Sequence, residues 1–452
     1  MVQKVVDIKQ RMDNVLISSD TLIPNKIKNA ISGGNIYNNF KIIAEFQEKH
    51  FGSLFLQKSQ AQPSPSVLFE GITFVNNMFF AYGPSLAWSS DGKTWTECEN
   101  IDYLNTWNAP QYLNGLFVSG GVGDTTSSGI GLAWSSDGKT WTRGSVSSEI
   151  TNDISTASWD SPIYANGIFV SGGAGLAWSS DGKTWTLGSI DGEIATNITY
   201  DSPIYANGVF VCGKTTTSSS RGISWSSDGK TWTKASHFVS KCLKPVYINN
   251  LFWICDNNDL LQSSDGKTWT TISKPSGIIT FNGSPVGDAN VLVTSGRNST
   301  TSSHYQILWS SDGISWNLTS ESIYSSNYMP SFVYLGDLFV GAGTFSFGDA
   351  SKSCWSINGK EWFAGVNSDF SSGSFFPMKF CNGIFIAEHG VNSDFAYWSS
   401  DGKVWYKDNS GYEGKWLCAY GNGIIAFLNW QDGSLYYAEP DTKNLFSQLN
   451  FD

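Results

Sequence analysis

The stretch that decides the fold is Trp178-Ser179-Ser180-Asp181-Gly182-Lys183-Thr184-Trp185. Full or lightly altered copies stand at Trp88–Trp95, Trp134–Trp141, Trp225–Trp232, Gln262–Trp269, Trp309–Trp316, Trp355–Trp362 and Trp398–Trp405. Successive box aspartates, with Asn358 in the seventh copy, lie 46, 44, 47, 37, 47, 46 and 43 residues apart. A period of that length with no helical pattern inside it marks propeller blades, not a helical solenoid.

A turn signal precedes each box. Asn114-Gly115, Asn166-Gly167, Asn207-Gly208, Asn382-Gly383 and Asn422-Gly423 sit between apolar residues. Asn76-Asn77, Asn249-Asn250, Gly336-Asp337 and the looser Gly287–Asn290 hold the equivalent places. Asn-Gly supplies the two positive φ values of a type I′ turn at low steric cost, a strong hairpin signal. In the third unit Ile163-Tyr164-Ala165 enters the turn and Ile168-Phe169-Val170 leaves it. Leu176-Ala177-Trp178 then enters the box and Thr184-Trp185-Thr186 leaves it. Four short strands, A to D, in one period make a propeller blade. Counting turns gives an all-β propeller of about nine blades. The ninth unit, Trp416 to Phe446, keeps only a decayed box around Tyr437–Leu445, so eight blades with one unit shared in ring closure is the alternative.

The box has a mechanical reading. Asp91, Asp137, Asp181, Asp228, Asp265, Asp312 and Asp401 can accept turn N–H groups, the serine hydroxyl can bond locally, and glycine accepts the positive φ. The closing tryptophan is large enough to fill the space between neighbouring blades. Fifteen of the twenty tryptophans belong to boxes, so most of this residue is architecture. The box resembles the Asp-box (BNR repeat) of sialidase-type propellers, without the spacer usual between its Asp and Gly. Similar repeats occur in bacteriophage virion and tail-fibre proteins. The resemblance covers residues 67–452 and implies a fold more than an activity.

Glycine-rich, aromatic-rich and weakly charged composition fits an all-β chain with many turns. A net charge of −11 argues against a nucleic-acid surface. No stretch of eighteen apolar residues spans a membrane, and the charged start has no signal-peptide core. Seven cysteines without CxxC spacing read as buried free thiols made in a reducing cytoplasm.

Residues 1–58 lack the box and read as a partly helical anchor. Val5, Ile8, Met12 and Val15 follow a 3-4-3 seam that suggests an oligomerising stub, a homotrimer by analogy with phage fibres. The alternative is a lone amphipathic helix. A second apolar segment, Phe40 to Phe55, reads as a further anchoring helix. Residues 59–66, with Pro63 and Pro65, read as a linker, so the propeller is expected over 67–452 and to fold when begun near Val67. Pro110, Pro162, Pro203 and Pro245 fall in strand A, where proline needs a free edge, so A is expected innermost.

Candidate chemistry mostly fails. The recurring Gly-Lys-Thr lacks the P-loop's earlier glycine: Ala87, Ala133, Ala177, Ser224 and Leu261 stand there. A sialidase clamps a carboxylate with three arginines, and outside the leader only Arg143, Arg221 and Arg297 are present, with Arg221 and Arg297 in B–C loops. A glycoside hydrolase with two loop carboxylates remains the enzymatic alternative. Asp160 and Asp201 are excepted, because Trp159-Asp160-Ser161-Pro162 and Tyr200-Asp201-Ser202-Pro203 repeat each other. Four scattered histidines and the absence of an Asp-rich loop give no metal and no cofactor.

The A–B turns and the boxes belong to one face. The B–C and D–A connections belong to the other and vary, with inserts at Gly121–Gly131, Gly213–Gly222, Ser295–Gln306, Gly343–Ser353 and Glu388–Ala396. Function rides on such loops, so Tyr103, Trp107, Asp124, Trp159, Arg221, Arg297 and Tyr328 are the candidate ligand contacts. The linker is expected to reach strand A from this face, which brings the leader toward it. The resulting expectation is a non-enzymatic virion protein, made without a signal peptide. Its anchor would bind other virion proteins and its head a host-surface glycan or receptor. A virion brace without receptor binding is a further alternative.

Overall fold

The computed structural model describes the chain from Leu56 to Glu439, except residues 61, 64–67, 102–105, 123–129, 148–157, 195–198, 215–221, 236–243, 257–258, 299–303, 320–323, 327–330, 336–337, 348, 368–374, 382–383, 390–396, 400, 408–411, 413 and 415. The seam at Val5, Ile8, Met12 and Val15 and the segment Phe40 to Phe55 therefore lie outside the described residues, as do their helical readings. The chain is an all-β propeller of nine four-stranded blades. The third blade is typical: strands A to D are Ile163–Ala165, Ile168–Gly172, Leu176–Ser179 and Thr184–Leu187, all antiparallel neighbours. Asn166 and Gly167 carry φ of 51° and 81°, and the same sign pattern holds at Asn114-Gly115, Asn207-Gly208 and Asn422-Gly423. Nothing lies within 4 Å of a Cβ added at Gly167, so conformation alone requires that glycine. A strands of neighbouring blades adjoin, which places A innermost. The four prolines precede strand A instead of lying in it, since these strands start at Gln111, Ile163, Ile204 and Val246.

Ring closure corrects the domain boundaries. In the ninth blade A, B and C are Trp416–Gly421, Ile424–Asn429 and Leu435–Ala438, but D is Gln57–Lys58 from the other end of the chain. Gln57 pairs with Tyr437 and Lys58 with Tyr436. The register sets Leu56, 3% exposed, in the closing-tryptophan position, which explains why the ninth box is decayed. Past the strand, Ser59 N–H donates to Leu435 O and Gln60 N–H to Lys93 O of the first blade. The Gln62 amide bonds both backbone groups of Leu435. Leu56 to Gln60, and Gln62, are thus propeller, neither anchor nor linker. The described chain meets Leu56, and leaves Ala438, at the box end of the ninth blade.

The core is divided into nine wedges, one per seam between blades. Each wedge joins strand B of one blade to strand B and the closing residue of the next. Trp232, for example, packs with Ile168 and Val170 of the third blade and Phe210 of its own. The box holds that indole in place. Asp181 Oδ1 accepts from the N–H groups of Lys183 and Thr184 at 2.8 Å, and Ser179 Oγ accepts from Gly182 N–H at 2.9 Å. The pattern recurs in all eight boxes, with Asn358 Oδ1 in the aspartate's place. Box glycines are needed twice over. Gly229 has φ of 72°, and a Cβ there would come within 2.7 Å of Ile168 in the preceding blade.

A second lock links the boxes around the ring. Lys139, Lys183, Lys230, Lys267, Lys360 and Lys403 each sit 4.3 to 4.5 Å over the first box tryptophan of the preceding blade. Such contacts contribute about 0.5–1 kcal/mol where exposed. Lys93 does the same with Tyr437 and also pairs with Glu439. The seam between the fifth and sixth blades breaks the rule on both sides, with Gln262 for tryptophan and Ile314 for lysine. There the indole has moved to the opposite strand. Trp253 pairs with Gln262, where other blades pair a smaller strand-B residue with the box tryptophan, as in Val170 with Trp178.

Three outcomes follow. A chain beginning at Val67 lacks Leu56 and strand D of the ninth blade; its melt should broaden and fall, or the product should aggregate. A chain beginning at Ser53 should keep the sharp, high melt of the full-length protein by circular dichroism. Asp181→Asn should cost little, because Asn358 shows an amide serving, whereas Asp181→Ala should cost about 1–3 kcal/mol in denaturant titration.

The third outcome concerns acid. The N–H groups of Ser315 and Ile314 hold the Asp312 carboxyl at about 2, and Asp91, Asp137, Asp181, Asp228 and Asp265 are also lowered. These groups bind fewer protons folded than unfolded. Their stabilisation is present above the ordinary value of 3.8 and lost as pH falls through the depressed values. Melting temperature should drop steeply between about pH 4 and about pH 2.

Candidate functional site

The end of the ring opposite the boxes divides into two regions. Over the second to fourth blades it is a hydrogen-bonded collar around the innermost strands. Trp107, Trp159 and Tyr200 donate their N–H groups to Gly83, Gly121 and Gly173 of the preceding blades. The next residues, Asn108, Asp160 and Asp201, donate theirs to Gly120, Gly172 and Gly213 of their own blades. Side chains continue the stitching: Asn108 Nδ2 donates to Trp159 O, Ser161 Oγ to Ala109 O and Ser202 Oγ to Ser161 O. Asp160 Oδ2 accepts from Ser202 N–H at 2.9 Å. Burial raises the Asp160 carboxyl, an effect that Ser202 N–H and the charge of Lys244 partly offset. Gly120 is required by this collar, since a Cβ would meet the Asp160 backbone at 2.3 Å.

Over the sixth and seventh blades the end rises into a wall. Strands B and C lengthen to Leu292–Asn298 and His304–Ser310 in the sixth blade, and to Phe339–Phe347 and Asp349–Ser356 in the seventh. Tyr324–Ser326 bridges the two hairpins, fusing two blades into one ten-stranded sheet. Two of the expected inserts, Ser295–Gln306 and Gly343–Ser353, are thus largely strand.

Buried positions overturn part of the candidate set. Trp107 and Trp159 are 1% and 0% exposed and belong to seam wedges, so neither presents a ring to a ligand. Their ends of the D–A connections tuck inward because strand A must start at the axis. Arg297 lies in strand B of the sixth blade and not in a loop; it pairs in register with Tyr305 and is half-buried. Tyr103, Asp124, Arg221 and Tyr328 lie outside the described residues. Arg143 stands 5.6 Å over the Trp107 ring on the second blade, four blades from Arg297, so these two do not converge on one anion. Among the described residues no group of three His, Cys, Asp or Glu gathers as a metal site. Sequence reasoning missed the collar's extent and the wall. The repeated aromatic-Asx-Ser-Pro run signalled the first; nothing signalled the bridge at Tyr324–Ser326.

No protein family matches the chain, and no curated protein does. Among solved structures it is similar to the computationally designed Ika8 protein (TM-score 0.46, 11% identity, 74% of this chain and 96% of that one). BamB from Moraxella catarrhalis gives 0.42 and 9%, with 84% and 97% covered. A GH74 enzyme from Niastella koreensis gives 0.32 and 13%, with 81% and 73% covered. At these scores none carries an argument about activity.

Because Trp159 fills a seam, Trp159→Ala should lower stability by about 3–5 kcal/mol in denaturant titration. Reduced ligand binding at unchanged stability would restore it as a contact residue.

Proposed function

We propose that the chain is a non-enzymatic bacteriophage virion protein of the fibre or decoration type. Its N-terminal segment joins other virion proteins, a homotrimer included, and its head binds a host-surface glycan or protein. The observation that supports this most is the polarity of the ring. The described chain begins and ends at the box end of the ninth blade, while the inserts and the wall occupy the opposite end. A head attached through its box end presents its irregular end outward. The box's likeness to phage repeats supplies the virion setting. The glycosidase alternative would need two carboxylates facing one glycosidic bond.

Adsorption tests this reading. Replacing residues 299–303 or 123–129 by a tight turn should spare the melt and cut binding to host cells or a glycan array at least tenfold. Lys183→Ala should lower stability slightly, through loss of the Trp134 contact, and leave adsorption intact. Adsorption lost with Lys183→Ala but kept in the loop variants would make the head a particle brace and overturn receptor binding.

A further inference from the structure

Tryptophan in this chain is almost wholly structural. Thirteen indoles are buried, and the six half-buried ones, Trp88, Trp134, Trp178, Trp225, Trp309 and Trp355, each lie under a lysine of the next box. Trp430 is the exception, 49% exposed. It stands on the B–C turn of the ninth blade, between Ile424–Asn429 and Leu435–Ala438, at the end of the ring opposite the boxes. Single exposed leucines or isoleucines are ordinary on a protein surface. An exposed indole forgoes far more, since burial would cover about 150–250 Å² of it. Nor does the turn require it. The positive φ of this turn falls on Gly433, at 72°, so most residues would serve at position 430.

The tip that carries the indole is rigid. Asn429, 3% exposed, donates its N–H to Ser434 O and accepts from Gly433 N–H at its carbonyl, both at 2.8 Å. Its Oδ1 accepts from Gln431 N–H at 3.1 Å. Asp432 Oδ1 accepts from Ser434 N–H at 2.8 Å. Behind the turn Gly414 packs so closely that a Cβ there would come within 2.4 Å of Asn429 Nδ2. An indole on a fixed support loses little conformational freedom when something binds it. Gln431 and Asp432, both exposed, set an amide and a carboxylate on the same turn.

We propose that this turn binds an uncharged sugar unit, the apolar face of a hexopyranose ring lying on the Trp430 indole. The ligand class follows from what stands beside the ring. A tryptophan that anchors a protein partner sits in a well-packed pocket within a rim that excludes water. Here the next residues along the turn are Gln431, Asp432, Gly433 and Ser434. A pyranose needs one flat apolar surface for its C–H groups, with an amide and a carboxylate nearby to bond its hydroxyls. The carboxylate of Asp432 and the chain's net charge of −11 oppose a sugar acid, because like charges brought together repel. The inference rests on the proposed role of the head as a reader of host surfaces, and gives that role a sugar class and a contact residue. It moves the contact from Trp107 and Trp159, which the wedges hide, to an indole that the same end of the ring presents.

The test is a printed array of neutral hexose-terminated and sialylated oligosaccharides, probed with the full-length protein, with adsorption to host cells measured on the same preparations. The wild type should bind a neutral glycan. Trp430→Ala should weaken that binding about tenfold or more at an unchanged melting temperature, as loss of a contact that dominates a site does. Trp430→Tyr, which keeps an aromatic face, should retain most of it. In the wild type, the bound oligosaccharide should slow hydrogen exchange across residues 430–434 and leave the boxes unaffected. Undiminished glycan binding by Trp430→Ala, binding confined to sialylated glycans, or unchanged exchange at the turn overturns the inference. Adsorption to cells with no neutral glycan bound also overturns it, while leaving the receptor reading in place with a protein as the ligand. A wild type that binds neither cells nor glycans overturns both.

Discussion

Everything in this ring depends on the wedging of one large side chain into each seam between blades. A four-stranded blade is a sheet with two apolar faces and cannot cover either by itself. The closing tryptophan converts two such faces into one wedge, as Trp232 does between the third and fourth blades. Because every wedge draws on two neighbours, no blade is complete until the ring closes. Leu56 has the smaller side chain in the one seam where chain continuity fails, and packs there with Trp398 and Trp416. The leader's last residues are therefore bound into the cooperativity of the whole domain.

Polar groups determine where the wedges go. The box aspartate satisfies turn N–H groups and the buried serine caps the glycine; the indole Nε1 of Trp95, Trp141, Trp232, Trp269 and Trp362 also donates to the box glycine carbonyl, at 3.1 Å from Trp141 to Gly138. With these bonds made, the indole has one orientation, and the next blade packs against a fixed surface. At the opposite end the aromatic-Asx pairs do the same for strand A. The second to fourth blades are thus pinned at both ends, and their connections can vary without loosening the ring.

Repetition made the blades legible, because one box read eight times leaves little freedom in period, strand count or turn type. Closure was illegible for the converse reason. Gln57 and Lys58 carry no pattern, and Tyr437, the partner of Gln57, lies 380 residues away. Trp107 and Trp159 read as loop aromatics because the sequence places them before a proline and outside any strand; only the axis shows that this position is interior. The lysine–tryptophan contacts were hidden because each joins two boxes about one period apart. Even so, the paired departures at Gln262 and Ile314 were visible in the sequence, and they become intelligible once the two boxes are known to touch.

That paired departure also shows how the scaffold evolves without collapsing. Losing the tryptophan at Gln262 would leave a void, but Trp253 on the facing strand fills the seam and meets Trp316 edge-on at 6.3 Å. With no indole at the rim, a lysine in the sixth box would have nothing to cover, and its position becomes free for another residue. Exchange across a strand pair conserves volume in the wedge while releasing a surface site, which is the kind of substitution cores tolerate best. A closed ring of similar wedges can absorb one such exchange because the other seams keep their own packing. New surface chemistry can therefore arise on the otherwise constant face at a single seam, without touching the irregular end that the proposed function uses.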